Sequence, residues 1–552
     1  MPQQTNSDNL QEKLEEVREK EAEERAKKTA QKSDLPYLDL SARPIDQEAL
    51  AIVKEETARG ASLAVFQSEN EKNLKVAVFD PQAPNTQKII EDLKKKGFNL
   101  SLFVVSQKSL AKAFLRYKDI PSVKEEPGET KISRLSLEKL AKGLKTVQNV
   151  KTEIENLKQA SVSQILEVIL AGALQNEASD IHLENEENRT LLRFRLDGLL
   201  QEIASLDEKT AHLVLSRLKL ISGVALNIKD KPQDGRFTIE IDGVKLEVRA
   251  SFVPSPQGEN AVLRLLNPKS INLTLKDLGL REDIYEIIKK EIKQPNGLII
   301  TTGPTGSGKT TTLYAFLKEI TRPQIKIITL EDPIEYHLAG ISQTQVETER
   351  GYTFAEGLRA ALRQDPDILM VGEIRDKDTA EIALQAALTG HLVFSTIHTN
   401  DAAGAVPRFL DLGATPKTVA SALSLAIAQR LVRRLCPECK KETDSTEEEK
   451  EKITKALKKL PSSVKAPAFS KIFKPQGCDK CNKIGFKGRI GIYEIIKKDT
   501  ELEKFIAASP GHAEILEFLE KKDFVSMFQD GVLKVLEGIT SLEEVESVVG
   551  TR

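Results

Sequence analysis

Three groups of residues in this sequence have the types and the spacing to do chemistry. The first is Gly303-Pro304-Thr305-Gly306-Ser307-Gly308-Lys309-Thr310-Thr311, which fits G-x-x-x-x-G-K-[ST] between the apolar run GLIITT and the helical pattern TTTLYAFLKEI. Glycines there let successive backbone amides turn toward a polyphosphate, and the positive end of the following helix favours the anion. Lys309 would supply a point charge at the β- and γ-phosphates, and the Thr310 hydroxyl would ligate Mg²⁺. A glycine-rich turn without a ligand is the plain alternative, and the flanking strand and helix favour the phosphate reading.

The second group is acidic and imidazole residues at strand ends. Ile368, Leu369 and Met370 lead into Val371-Gly372-Glu373, a Walker B type of position from which a carboxylate holds the Mg²⁺ water shell or polarises the attacking water. Leu330-Glu331-Asp332-Pro333-Ile334-Glu335 follows the run KIIT, so Glu335 or Glu331 is the candidate general base. A solvated helix cap is the bland reading of one such cluster alone. His391 and His398 bracket the strand LVFSTI, and their odd spacing on an extended chain puts them on opposite faces, where they cannot chelate one metal. A histidine beside Thr396 and Thr399 would instead sense the γ-phosphate through hydrogen bonds; an ordinary polar strand end is the alternative.

The third group is Cys436, Cys439, Cys478 and Cys481, two C-x2-C pairs that use every cysteine in the chain. Paired knuckles of this kind match a closed tetrahedral Zn²⁺ site with a structural role. A redox CxxC would need only one pair, beside a thioredoxin-like pattern. Arginines add a further set: Arg193, Arg195, Arg236, Arg249 and Arg264. Arg249 and Arg264 fall in the adjoining strands LEVRAS and AVLRLL, where a permanent charge calls for an anion, either a nucleotide or surface acids.

The elements that must position these groups follow from periodicity. Strands alternate with amphipathic helices from GLIITT through LVFSTIH, which predicts a mostly parallel sheet covered on both faces. Upstream, Ile165, Val168, Ile169 and Leu174 suit a buried helical face, and FTIEIDGVKLEVRASF alternates around Asp242-Gly243, a hairpin signal. Ile89, Ile90 and Leu93 share a helical face in an earlier α/β stretch, and Leu10, Leu14 and Val17 form a short apolar stripe in a charged tail. The expected domains are a tail over 1–34, disordered or helical; a small α/β domain over 35–120; a mobile linker over 121–160; an α+β domain over 161–270; and a P-loop domain over 276–552, with a zinc-knuckle lobe at about 430–495.

Composition narrows the class. A net charge of −2, the absence of tryptophan and an aromatic content of 5% argue against a nucleic-acid motor, which needs basic grooves and stacking rings. No run reaches the roughly 20 apolar residues that span a bilayer, and the N-terminus lacks the apolar core of a signal peptide, so the expected location is the cytoplasm.

Taken together, these boxes resemble the secretion ATPases that power type II secretion and type IV pilus extension. GPTGSGKTTTLY looks like their Walker A box, TLEDPIEYH their aspartate box, LRQDPDILMVGEIRD their Walker B signature and TGHLVFSTIHTNDA their histidine box. ASDIHLE, RFRLDG, PQDGRF and VRASFVPSPQGENAVLRLL resemble the family's second N-terminal domain, and PYLDLSARPIDQEALAIV is similar to the opening of its first. The resemblance implies a RecA-like C-terminal domain, a PAS-like second N-terminal domain and a four-cysteine zinc lobe. It places Glu335 and Glu373 on the catalytic glutamates, Arg249 and Arg264 on the arginines that reach the nucleotide, and His391 and His398 on the histidine-box pair. It further implies ATP, Mg²⁺ and Zn²⁺ as cofactors, a homo-hexamer, a polytopic inner-membrane platform protein as partner, peripheral membrane association through that partner, and no direct contact with nucleic acid. No RLGxxLV-type repeat is seen, so cyclic di-GMP is not an expected ligand. Retraction ATPases, and DNA-uptake members of the superfamily, are the nearest alternatives. The retraction type usually lacks the extra N-terminal domain and the cysteine knuckles, which favours extension or secretion.

Overall fold

The computed structural model describes residues 21–40, 45–46, 49–50, 52–53, 55–70, 73–95, 97–119, 129–130, 143–157, 161–241, 244–266, 273–467 and 469–550. The chain divides into two compact units, Met1–Lys124 and Glu125–Arg552.

In the first unit Leu63–Asn70 pairs antiparallel with Asn73–Val78, which pairs parallel with Asn99–Val104. The parallel step requires a crossover, supplied by the helix Pro84–Lys95, whose Ile90 and Leu93 bury in the same core as Val65 and Val76. Residues 21–32 of the expected tail are helical, with Ala26 and Ala30 buried. The stripe Leu10, Leu14 and Val17 lies outside the described residues.

The second unit opens with a correction to the expected linker. Thr146 caps a helix over Val147–Asn156 by accepting from the Asn149 amide at 3.2 Å, and Val150 and Ile154 bury against Ile165 and Ile169 of the helix Val162–Gln175. A Cβ at Gly172 would meet Val150 Cγ2 at 2.7 Å, so the two helices cross where only glycine fits. A mobile tether has no buried face; this stretch has one, at helical spacing. Of the rest of the expected linker, residues 121–128, 131–142 and 158–160 lie outside the described residues.

Those helices, with Glu208–Ile221, share a core with a seven-stranded sheet ordered Glu129–Thr130, Gln233–Ile241, Val244–Ser255, Gly258–Leu266, Asp180–Asn185, Thr190–Leu196, Leu199–Leu206. Gln233–Ile241 and Val244–Ser255 pair antiparallel down to Ile241 and Val244, as a hairpin requires, although its turn at 242–243 lies outside the described residues. Phe194, Phe237, Val248, Ala250 and Leu263 are buried toward the helices. Strand alternation therefore puts Arg193, Arg195, Arg236, Arg249 and Arg264 on the opposite face.

The second sheet, also seven-stranded, runs Ser342–Gln345, Ile327–Glu331, Ile368–Val371, Leu392–Ile397, Gly297–Thr302, Leu423–Leu435, Phe486–Lys497. All neighbours are parallel except the last pair. Successive residues feed two cores: Leu298 and Ile300 one side, Ile299 with Phe316 and Phe394 the other, as a sheet covered on both faces demands. Between its last two strands sits a small lobe in which Lys441–Asp444 pairs with Lys471–Lys474 beside the helix Glu447–Lys458. Among the described residues, no helix is long and apolar enough to cross a membrane.

Candidate active site

Gly297–Thr302 is buried along its whole length and delivers the chain to the carboxyl edge of the parallel strands, the edge where open α/β sheets bind ligands. Gly303, Gly306 and Gly308 then take φ of +148°, +79° and +87°. A Cβ at Gly303 would come within 2.6 Å of the Gln429 carbonyl oxygen, a backbone atom that cannot yield, whereas at Gly308, 2.8 Å from the mobile Gln429 Nε2, it is the positive φ that favours glycine. Gly308 caps the helix Lys309–Ile320 without a side-chain acceptor, which leaves the first amides to another anion. Lys309 Nζ donates to the carbonyls of Gly303 at 2.8 Å and Pro304 at 3.0 Å, folding back over its own loop. Burial lowers its pKa, against the opposing charge of Glu373 and with the help of Arg430. Ser307 Oγ is buried without a hydrogen-bond partner, and Thr305 and Thr310 are exposed. The loop thus combines free amides, an orphan hydroxyl and a cation, which fits a polyphosphate.

Glu373 follows Ile368–Val371 at the same edge and is held there by its neighbours: the Gly372 amide donates to Leu330 O at 2.7 Å, and Thr396 Oγ1 to Gly372 O at 2.7 Å. Glu373 Oε2 lies 2.5 Å from Arg375 Nε and 3.4 Å from His398 Nε2. The structure thus joins His398 to the Glu373 carboxylate. It separates His391, which precedes Leu392 at the amino edge and bonds to Ala386 O at 3.2 Å. Six residues of strand, about 20 Å, lie between the two histidines, so within one chain His391 is not a partner of this site. That corrects the expected histidine pair.

The two glutamates offered as general base also part company. Glu331 is buried and accepts from Thr329 Oγ1 at 2.6 Å, Gln343 Nε2 at 3.0 Å and the Tyr314 hydroxyl. With its oxygens committed to the core it cannot address a water. Glu335 is a third exposed, and its Oε2 lies 3.0 Å from Arg249 Nη1, while Arg249 Nη2 donates to Ile334 O at 2.8 Å. An arginine of the first sheet therefore reaches the acidic loop of the second.

Strand register explains why that arginine is available. Arg236 pairs with Arg249, Arg249 with Arg264, Arg264 with Asp180, and Asp180 with Arg195, so one row across four neighbouring pairings carries these charges on a single face. Asp180 is buried and takes Arg264 Nε at 3.0 Å and Arg195 Nε at 3.4 Å; Arg193 pairs with Glu184. Like charges directly opposite on a sheet repel. One carboxylate does not balance the row, and Arg249 turns to Glu335.

Two residues at this edge carry no motif that reading the sequence would single out. Gln429, buried in the strand Leu423–Leu435, accepts from Thr312 Oγ1 at 2.7 Å and packs on Gly303 and Gly308. Arg430 donates to Gln429 O at 3.1 Å and Asn400 O at 2.9 Å. Strand pairing with Gly297–Thr302 is the only signal, and it is three-dimensional.

The cysteine thiols gather in the small lobe, all four sulfurs within 4.8 Å of one another. Sγ separations of 3.9 Å for Cys436 and Cys478, 3.8 Å for Cys439 and Cys481, and 3.7 Å for Cys478 and Cys481 match the roughly 3.8 Å edge of a Zn–S₄ tetrahedron. Burial disfavours the Cys481 thiolate, yet amides of Cys478 and Gly485, each 3.2 Å from Sγ, bring it down to about 7. The donor set fits zinc. The knuckle also holds the α+β part: Asn482, in the left-handed region, accepts from the Val147 amide at 2.9 Å and donates to Asn176 Oδ1 at 3.1 Å.

Comparison with known proteins gives concordant matches. The family described as type II/IV secretion system protein matches residues 155–547, and the MshEN domain matches residues 33–123. Type II secretion system protein E of Aeromonas hydrophila is 46% identical over 386 residues, covering 70% of this chain and 75% of that protein. The type IV pilus assembly ATPase PilB of Thermus thermophilus is 36% identical over 516 residues, 92% of this chain and 56% of that protein. Among solved structures, the ATPase DotB of Legionella pneumophila covers 70% of this chain and 95% of its own at 23% identity and a TM-score of 0.50, a likeness of fold alone.

Proposed function

Because this chain belongs to the type II/IV secretion system protein family, we propose that it hydrolyses Mg²⁺–ATP to drive assembly of a type IV pilus or a type II secretion pseudopilus. The observation that carries the reading is the meeting of Lys309, Glu373 and His398 at the glycine loop, with the Arg249–Glu335 contact in the same compact unit. Gly303 to Gly308 and the first amides of the Lys309–Ile320 helix hold the triphosphate, with Lys309 moving from its loop carbonyls to the phosphates. Thr310 and Thr311 complete the loop's contacts, Thr310 through Mg²⁺, which draws charge from the phosphate oxygens when bound. Glu373 orients water, with His398 reading the γ-phosphate beside it. Glu335 serves as the second catalytic carboxylate, and Arg249 and Arg264 offset charge on the phosphates, leaving their present carboxylate partners to do so.

The mechanical output follows from that exchange. In the proposed cycle Arg249 exchanges between Glu335 and the bound phosphate, so each turnover closes and reopens the two sheets of a subunit. Six subunits in a ring pass this motion to a polytopic platform protein of the inner membrane, at whose cytoplasmic face the ring sits. Likeness to the Thermus pilus assembly ATPase over 92% of the chain favours assembly over retraction. The test is complementation of a deletion strain: the wild-type chain restores surface filaments or secretion and Lys309→Ala restores neither, whereas normal filaments with Lys309→Ala would overturn the proposal.

A further inference from the structure

We propose that Arg430 is a second cation of the phosphate loop, acting on the bound anion through its fixed charge rather than by contact. This inference rests on the reading of that loop as a nucleotide site.

Three observations lead to it. A Cβ built on Gly303 would lie 3.1 Å from Arg430 Nη1, so the guanidinium is packed on the first residue of the loop. Its hydrogen bonds go to two backbone carbonyls, Gln429 O and Asn400 O, which fix its position without cancelling its charge. Asp401 and Glu494 are the acids whose charge it feels; Asp401 is engaged by His512 Nε2 at 2.8 Å, and Glu494 accepts from the amides of Ala402 and Met527. Burial lowers the pKa of Arg430, and its charge in turn disfavours the ammonium of Lys309, as a second cation packed on the same loop must.

Glu373 offsets part of the Lys309 charge, and the repulsion that remains between the two half-buried cations is relieved when an anion arrives. The anion is of the polyphosphate class. Since the Arg430 charge does not move during reaction, it binds ground state and transition state alike, so it sets KM more than kcat. By spanning from Gln429 to Asn400 it also sits between the loop and the turn that follows His398, which is why a purely structural brace is the competing explanation.

Arg430→Gln and Arg430→Lys separate the two. For the full chain, binding of Mg²⁺–ADP and of a non-hydrolysable Mg²⁺–ATP analogue is measured across a salt series, alongside turnover and thermal stability. A field effect predicts that Arg430→Gln weakens both nucleotides about tenfold at low salt, flattens the salt dependence, and raises KM while kcat stays within about threefold. Arg430→Lys, which keeps the charge, recovers most of the affinity. Wild-type affinity in Arg430→Gln, or equal losses in both variants with a lowered melting temperature, would overturn the inference alone. If the wild-type chain retains neither nucleotide, the nucleotide-site reading falls and takes the inference with it.

Discussion

Arg249 Nη1 lies 3.0 Å from Glu335 Oε2, an ion pair between the face of one sheet and the acidic loop of another. The side chains are 24% and 32% exposed, but the Glu335 Oε2 that meets Arg249 is itself buried, so removing Arg249 should cost about 1–3 kcal/mol of stability. Its value lies in exchange. Arg249→Ala is expected to lower ATP turnover by roughly 10³ to 10⁵, far more than so small a loss of stability could cause. Turnover within tenfold of wild type would remove Arg249 from the reaction.

Glu331 and Glu335 are expected to fail in different assays. Glu331→Ala strands the Tyr314, Thr329 and Gln343 donors in the core and should cost at least about 2 kcal/mol in denaturant unfolding. Glu335→Gln should unfold like wild type and lose turnover. The reverse pattern would return Glu331 to the list of bases.

How much of this could be read from the sequence depends on whether a signal is local. The glycine loop is legible because its backbone geometry and its cation lie within nine contiguous residues, and the cysteine knuckles for the same reason. The helix Val147–Asn156 was hidden because its apolar positions are diluted by Lys151, Glu153 and Glu155, and its burial depends on Gly172. Seven-residue spacing puts His391 and His398 on opposite faces; only strand direction shows that one stands at the wrong edge. Gln429 and Arg430 look like ordinary strand residues until the register sets them against the loop.

Gly303→Ala tests the loop's shape. Its φ of +148° and the 2.6 Å approach to Gln429 O leave no room for a methyl group, so nucleotide binding should be lost and the fold weakened by about 1–3 kcal/mol. Gly306→Ala, with nothing within 4 Å of its Cβ, meets only the backbone strain of φ +79° and should destabilise less. Equal stability of Gly303→Ala and wild type would contradict the packing described.

Zinc should copurify at one ion per chain and be lost in Cys439→Ser, read by elemental analysis. Asn482→Ala keeps the sulfur ligands but removes the bonds to Val147 and Asn176, so it should retain zinc while unfolding about 1–2 kcal/mol more easily. Metal loss from Asn482→Ala would show that the knuckle needs this contact to close.

Burial holds Lys309 below the usual lysine range, opposed by Glu373. In the ligand-free protein the charged form therefore costs stability, and that cost is relieved as pH rises from the folded toward the unfolded pKa. Phosphate needs the charged form, so Mg²⁺–ADP affinity should fall with rising pH, beginning below the value of about 10.4 at which an ordinary lysine titrates. Calorimetric affinities flat up to that pH would contradict the assignment.

The most direct measurement is nucleotide retention and turnover by purified chains of three kinds: wild type, Lys309→Ala and Glu373→Gln. The account predicts that wild type binds and splits Mg²⁺–ATP, that Lys309→Ala does neither, and that Glu373→Gln binds within a few-fold of wild type but scarcely turns over. Full-speed hydrolysis by either variant would contradict it.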